Sequence, residues 1–294
     1  MKVWRHVGVL RLALVTVLLG CFTSSTSILY AQAPTLPAGF TQELVTNKLD
    51  GPTAFAIAPD GRIYFTQKSG TVRVSVKNQL VPENFIDLSA EVNYAYNRGL
   101  VGIALHPNFP QTPYVYLSYV YQPAEANGHK AIGARLSRVI RVSADPANLN
   151  KALPDSKVVL LGGGGTFANI GNPDNPDRKP FTCQDAAGKP VNDCIPVEGT
   201  AHQANMLRFG RDGALYVGIG DGGEYDEAGL RAQDLNSLSG KIVRINPTNG
   251  AGYTNNPFYN GDPQSNRSKI YMLGLRNPFR FTFHPTTADL VIGD

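Results

Sequence analysis

Helical periodicity, net charge and cysteine are all scarce in this 294-residue chain, and each scarcity narrows what the chain can be. No long stretch between its strand-like segments repeats apolar residues at helical spacing, which argues against a helical bundle and for an all-β fold. The first eleven residues, MKVWRHVGVLR, are basic and no acid precedes residue 34. Setting aside Lys2, Arg5 and Arg11 therefore lowers the formal charge from +4 to +1. A nearly neutral remainder gives no electrostatic ground for nucleic acid as a partner. Of three cysteines, Cys21 belongs to the N-terminal segment, while Cys183 and Cys194 share one loop-like stretch, FTCQDAAGKPVNDCIP. A local disulfide in an oxidising compartment is the simplest reading of that pair; the alternative, a metal pair, lacks neighbouring His or Cys partners.

Long hydrophobic runs are missing too. LALVTVLLGCF, behind the basic residues, is too short for a mature membrane span and reads as the apolar core of an export signal. Leu18-Leu19-Gly20-Cys21 resembles a bacterial lipobox, which would leave a lipid on Cys21 and so a membrane tether. Ala31-Gln32-Ala33 offers ordinary cleavage instead, against an unfavourable Pro34. Residues 1–33 are thus expected to be a signal or lipoprotein-type export segment, and the mature protein periplasmic or anchored at the cell envelope.

What the chain has in quantity is a repeated pattern of strand, turn and strand. PTAFAIAPDGRIYFTQKSGTVRV, from Pro52, reads as a three-strand meander, and Phe40 to Leu49 as a strand before it. The pattern returns at Gly102 to Ser118 with Leu136 to Val142, again at Asn205 to Asp221 with Lys241 to Asn246, and begins once more at Pro278 to Asp294. Four copies without long helices between them predict radially repeated four-stranded sheets, a β-propeller over residues 34–294. Residues 162–197 interrupt the spacing. Their GGGGT lacks the Gly-Lys-Ser/Thr and the helix of a phosphate loop, so the segment reads as a loop insertion on one face. The fourth copy stops at the point in the repeat that Val217 to Asp221 occupy in the third, which reads as an incomplete, C-terminally truncated propeller.

One stretch stands apart, EGTAHQANMLRFGRDGALYVGIGDGG over 198–223. Gly210-Arg211-Asp212-Gly213 is a turn between two strands, and an antiparallel hairpin returns the chain to its starting edge. His202 and Asp221 flank the two strands and should emerge together. A carboxylate that orients an imidazole suits a general base near neutral pH. The other histidines invite plainer readings: His106 and His284 as turn residues in equivalent repeat positions, and His129 as a solvent-facing loop residue. Arg98 could reach the central cleft or be solvated at the surface.

Arg98-Gly99-Leu100-Val101-Gly102-Ile103-Ala104-Leu105-His106-Pro107, the 202–223 hairpin, Ser239-Gly240-Lys241-Ile242-Val243-Arg244-Ile245 and Leu273-Gly274-Leu275-Arg276-Asn277-Pro278 occur in that order. Together they resemble the soluble, quinone-dependent glucose/sorbosone (aldose sugar) dehydrogenases, six-bladed β-propellers that carry pyrroloquinoline quinone (PQQ) and calcium. The resemblance spans about residue 40 to the end. It implies oxidation of a sugar or related alcohol by hydride transfer to PQQ, with electrons passed to an external acceptor. His202 would take the hydroxyl proton, Asp221 would orient it, and Arg276 would stabilise charge on the quinone oxygen with Asn277 beside it in the cofactor pocket. Asn97 and Gln203 fall where the substrate would be contacted. Gln203-Ala204-Asn205 departs from the small glycine-type residues that follow the histidine in many relatives. No metal ligand is expected within this chain, the calcium ligands being expected beyond residue 294.

Two other readings compete. A non-catalytic extracellular propeller could use the same scaffold to bind carbohydrate or protein. A metal-dependent hydrolase or lactonase propeller would need converging acidic ligands, which the visible repeats do not supply.

Overall fold

The computed structural model describes residues 35–123, 126, 128–170, 183–223 and 226–294, the side chains of 170 and 226–228 excepted. The export segment, with Cys21 and the two candidate processing sites, lies outside the described residues. Residues 44–294 form one compact unit.

That unit is built from antiparallel sheets in chain order. The first comprises β1 (Pro52–Ile57), β2 (Ile63–Gln67), β3 (Thr71–Val76) and β4 (Gln79–Leu80), with β5 (Ile86–Asp87) also paired to β3. The second runs β6 (Leu100–Leu105), β7 (Tyr114–Tyr121), β8 (Arg135–Asp145), with β9 (Asn148–Ala152), β10 (Val158–Leu161) and β11 (Pro196–Val197) all paired to β8. In the third, β12 (Ala204–Phe209), β13 (Leu215–Ile219), β14 (Lys241–Ile245) and β15 (Ile270–Leu273) pair in sequence. A hairpin of β16 (Arg280–Phe283) and β17 (Leu290–Gly293) follows. The helices α1 (Phe167–Ile170), α2 (Asp226–Arg231) and α3 (Asn266–Lys269) are one or two turns each. This is the all-β propeller-type arrangement that the repeats predict.

Period-two alternation explains how the sheets stack. On β7, Val115, Leu117 and Tyr119 face a core shared with the first sheet, whereas Tyr116 faces one shared with the third. On β13, Leu215, Val217 and Ile219 face the second sheet, and Tyr216 turns to a core with Ile242 and Phe281. Each middle sheet is therefore buried on both faces, which is why its strands read as nearly continuous apolar runs. Truncating one of these residues, Leu117 for example, would cost about 2–5 kcal/mol. The leading strands of successive sheets lie close together: Thr53 Oγ1 on β1 donates to Leu100 O on β6 at 2.6 Å, and Ser118 Oγ on β7, beside β6, donates to Asn205 O on β12 at 2.5 Å. Gly102 permits that approach, since a Cβ there would lie 2.1 Å from Asn205 O. The outward face of β1 is uncovered, with Phe55 and Ile57 exposed.

Two expectations need correction. Residues 40–49 hold no strand; Phe40 and Leu44 are exposed, and the segment's apolar residues find no partner strand. His129 is half-buried rather than free in solvent: Nδ1 lies 3.0 Å from Val92 O and the ring stacks on Tyr94. His106 and His284 are turn residues, each accepting backbone N–H bonds at Nδ1 from residues two or three ahead. Within 162–197, the glycines run into the single turn of α1, and Cys183 and Cys194 form a disulfide.

Candidate active site

The β12–β13 hairpin sets the site. Its register pairs Phe209 with Leu215 at the turn and Ala204 with Ile219 at the open end. His202 and Asp221, two residues beyond that last pair, meet as the antiparallel geometry requires. His202 Nδ1 lies 2.7 Å from Asp221 Oδ1, and both side chains are more than nine-tenths buried. A carboxylate only accepts, so Nδ1 carries the proton of this hydrogen bond, and in the neutral imidazole the lone pair falls on Nε2. Asp221 is itself held, with Oδ1 also accepting from Gly223 N at 3.2 Å and its own N–H donating to Arg276 O at 2.8 Å.

The backbone at His202 adopts a left-handed φ of 61°, uncommon for a residue with a side chain. Gly220 makes room for it. A Cβ at Gly220 would lie 2.6 Å from His202 O, so the two chain ends can cross only with glycine there.

Buried arginines fix the segment that leads into His202. Arg98 is fully buried and donates to backbone carbonyls on two segments, Gly133 O at 2.9 Å, Val197 O at 3.0 Å and Gly199 O at 2.7 Å. Between the last two, Glu198 accepts a two-pronged pair from Arg231 of α2 at 2.8 and 2.9 Å. Lys241 Nζ, wholly buried, caps the end of α2 by donating to Arg231 O and Ala232 O, and burial pulls its pKa down to about 8. Arg98 therefore belongs to the scaffold of the cleft. Sequence alone suggested neither the Glu198–Arg231 pair nor Lys241, because nothing in residue type marks a charge that will be buried.

His202 opens into a cavity of about 570 Å³. Asn97, Gln203 and Asn277 line it with His202, so four of the six sequence-predicted residues converge. Gln203 Nε2 donates to Asn97 O at 2.8 Å, and Asn205 Nδ2 to Asn277 Oδ1 at 3.0 Å. Arg276 is placed differently. Its backbone supports Asp221, but its exposed side chain lines a separate cavity of about 280 Å³ with Asp221 and Gln233. Sequence reasoning missed two cations in the His202 cavity, Lys68 and Arg280. Arg280 reaches Thr53 O at 3.4 Å and lies over the Phe279 ring, and burial lowers its pKa. No Asp or Glu is among the residues lining this cavity.

A propeller-type scaffold thus presents an imidazole, oriented through Nδ1, to a cleft lined by Lys68 and Arg280. The chain belongs to the Glucose / Sorbosone dehydrogenase family, whose model matches residues 49–162 and 191–293. Quinoprotein glucose dehydrogenase B of Acinetobacter calcoaceticus is 25% identical over 266 residues, 84% of this chain and 46% of that protein. Among solved structures, an oxidoreductase designated a glucose dehydrogenase from Thermus thermophilus is 30% identical with a TM-score of 0.58, covering 84% of this chain and 59% of that one. The PQQ-bound aldose sugar dehydrogenase of Streptomyces coelicolor shares the fold at 21% identity and a TM-score of 0.53, over 85% and 58% of the two chains. The chain thus spans about half the length of the curated relative and under two thirds of the solved structures it matches.

Proposed function

We propose that this chain carries the proton-abstracting half of a PQQ-dependent sugar dehydrogenase. The observation that carries the proposal is the 2.7 Å His202–Asp221 pair opening on a cavity lined by the amides of Asn97, Gln203 and Asn277. In this reading Nε2 of His202 accepts the proton of a sugar hydroxyl as the carbon gives up hydride. Asp221 holds the ring in the required tautomer and stabilises the imidazolium that forms. Asn97 and Gln203 orient the sugar, and Asn277, tied to Asn205, borders the cofactor.

The donor set suits a quinone bearing carboxylates, because Lys68 and Arg280 line the cavity with no acid among the lining residues to neutralise them. When bound, PQQ would supply the hydride acceptor, and Lys68 and Arg280, which line the same cavity as His202, would balance charge gained on it. Calcium fits less well: among the described residues, no group of three or more His, Cys, Asp or Glu side chains could hold an ion. No step is assigned to it. Export, with a lipid on Cys21 or ordinary cleavage, and delivery of electrons to an external acceptor complete the proposal. Among the described residues, no helix is long and apolar enough to cross a membrane.

The test is to titrate the full-length protein with PQQ, with and without calcium, and then add a panel of aldoses while following quinone absorbance. Binding followed by bleaching on sugar addition is expected. A folded protein that binds no quinone would overturn the proposal.

A further inference from the structure

The Cys183–Cys194 disulfide has no part in the proton transfer, yet Cys194 leads through residues 195–201 straight to His202. Cys183 falls within residues 163–190, which lie between the two spans that the family model matches, so the bond is not part of what that model describes. We propose that the disulfide is an oxidation-dependent clamp on the segment that delivers His202, and that the site is fully ordered only once the chain has reached an oxidising compartment. Closing the bond from two thiols releases two electrons and two protons, which a disulfide oxidant takes up as it becomes two thiols. The clamp deepens the reading of His202 given above and rests on it.

Packing carries the proposal. The two cysteines are buried in a small cluster with Ala134 and Leu136, separate from the cores between the sheets, so the disulfide supplies two of its four buried residues. Arg135 and Leu136 of β8 pair with Val197 and Pro196 of β11, and Ser137 N donates to Ile195 O at 2.8 Å, so the cluster lies at the joint of these strands. Arg98 spans the same joint through Gly133 O on one side and Val197 O and Gly199 O on the other. From there Glu198 N and Gly199 N both donate to Gly222 O, next to Asp221, so slack at the joint reaches both members of the His202–Asp221 pair. A left-handed backbone such as that of His202 persists only where its surroundings hold it. Asp193, whose carboxylate accepts from Gly162 N and Gly163 N, keeps the root of the loop in place without the bond. Opening the bond should therefore loosen the site without unfolding the chain.

The experiment prepares the full-length protein oxidised, reduced with a phosphine, and reduced then reoxidised with oxidised glutathione, each freed of reagent before it is loaded with PQQ. Alkylation and mass spectrometry report the state of Cys183 and Cys194, and Cys183→Ala/Cys194→Ala, which cannot form the bond, is the control. Reduction should lower kcat with sugar about tenfold, with KM changed less, and reoxidation should restore it. The double variant should sit at the reduced level and ignore glutathione. The low-field proton resonance of His202 Nδ1–H, read without sugar, should broaden or vanish on reduction while melting stays cooperative. An unchanged resonance and turnover in the reduced protein would overturn the clamp. So would loss of cooperative melting, which would make the bond a general support of the fold. Should the double variant fail to fold, the reduced wild type decides. If no form oxidises sugar, the reading of function fails, and the resonance alone still decides the clamp.

Discussion

The two ends of the β12–β13 hairpin carry similar groups and treat them differently. At the turn, Asp212 accepts from Arg244 Nε at 2.7 Å, Tyr216 OH at 3.1 Å and Ala214 N at 3.1 Å. Burial pushes its carboxyl up, but these hydrogen bonds and the Arg244 charge outweigh that and leave its pKa below the usual value. Each partner there serves to close the turn. At the open end, Asp221 is held as firmly, but the imidazole it binds presents Nε2 to a cavity and sits on a strained backbone. The same chemistry thus closes on internal partners at the turn, whereas at the open end it leaves an imidazole lining a cavity, the feature on which the proposed function rests.

This contrast can be broken experimentally. At the open end, Asp221→Asn should lower turnover roughly a hundredfold or more with little change in fold, because the amide favours the wrong imidazole tautomer. Steady-state kinetics beside a melting curve would separate the two effects. Gly220→Ala places a methyl against His202 O and should cost about 1–3 kcal/mol while displacing the histidine. A variant with wild-type melting and turnover would show that the crossing of the two ends is not tight. Asp212→Asn, at the turn, should leave turnover unchanged and have the smallest effect. Because the folded pKa of Asp212 is depressed, its charge stabilises the fold above the ordinary value of 3.8 and ceases to as pH falls through the lower folded value. The gap between wild type and Asp212→Asn in urea midpoints should therefore close in acid, whereas a gap independent of pH would assign the effect to packing.

Much of this was legible in the sequence because it rests on short-range pattern. Alternation and turns with Pro or Asp-Gly marked the leading strands of the three sheets, and hairpin geometry alone brought His202 to Asp221. The Cys183–Cys194 spacing was likewise sufficient. What escaped depends on neighbours distant in the chain. Residues 40–49 look like a strand but find nothing to pair with. Arg98 could equally have been a surface residue, and only the carbonyls of 131–133 and 197–199 make a buried site for it. Lys68 and Arg280 sit in unremarkable strand-end positions, and it is the stacking of sheets that puts them in one cavity. For Arg276, sequence placed the residue next to the site, while the direction of its side chain depends on how the chain turns after Gly274.

The central claim is that His202 takes the proton. Its most direct test is single-turnover reduction of the bound quinone by sugar in the full-length protein, comparing wild type with His202→Ala. The account predicts that the variant binds quinone as before and that reduction slows by roughly a hundredfold or more. Reduction at the wild-type rate would contradict it, and return His202 and Asp221 to a structural pair.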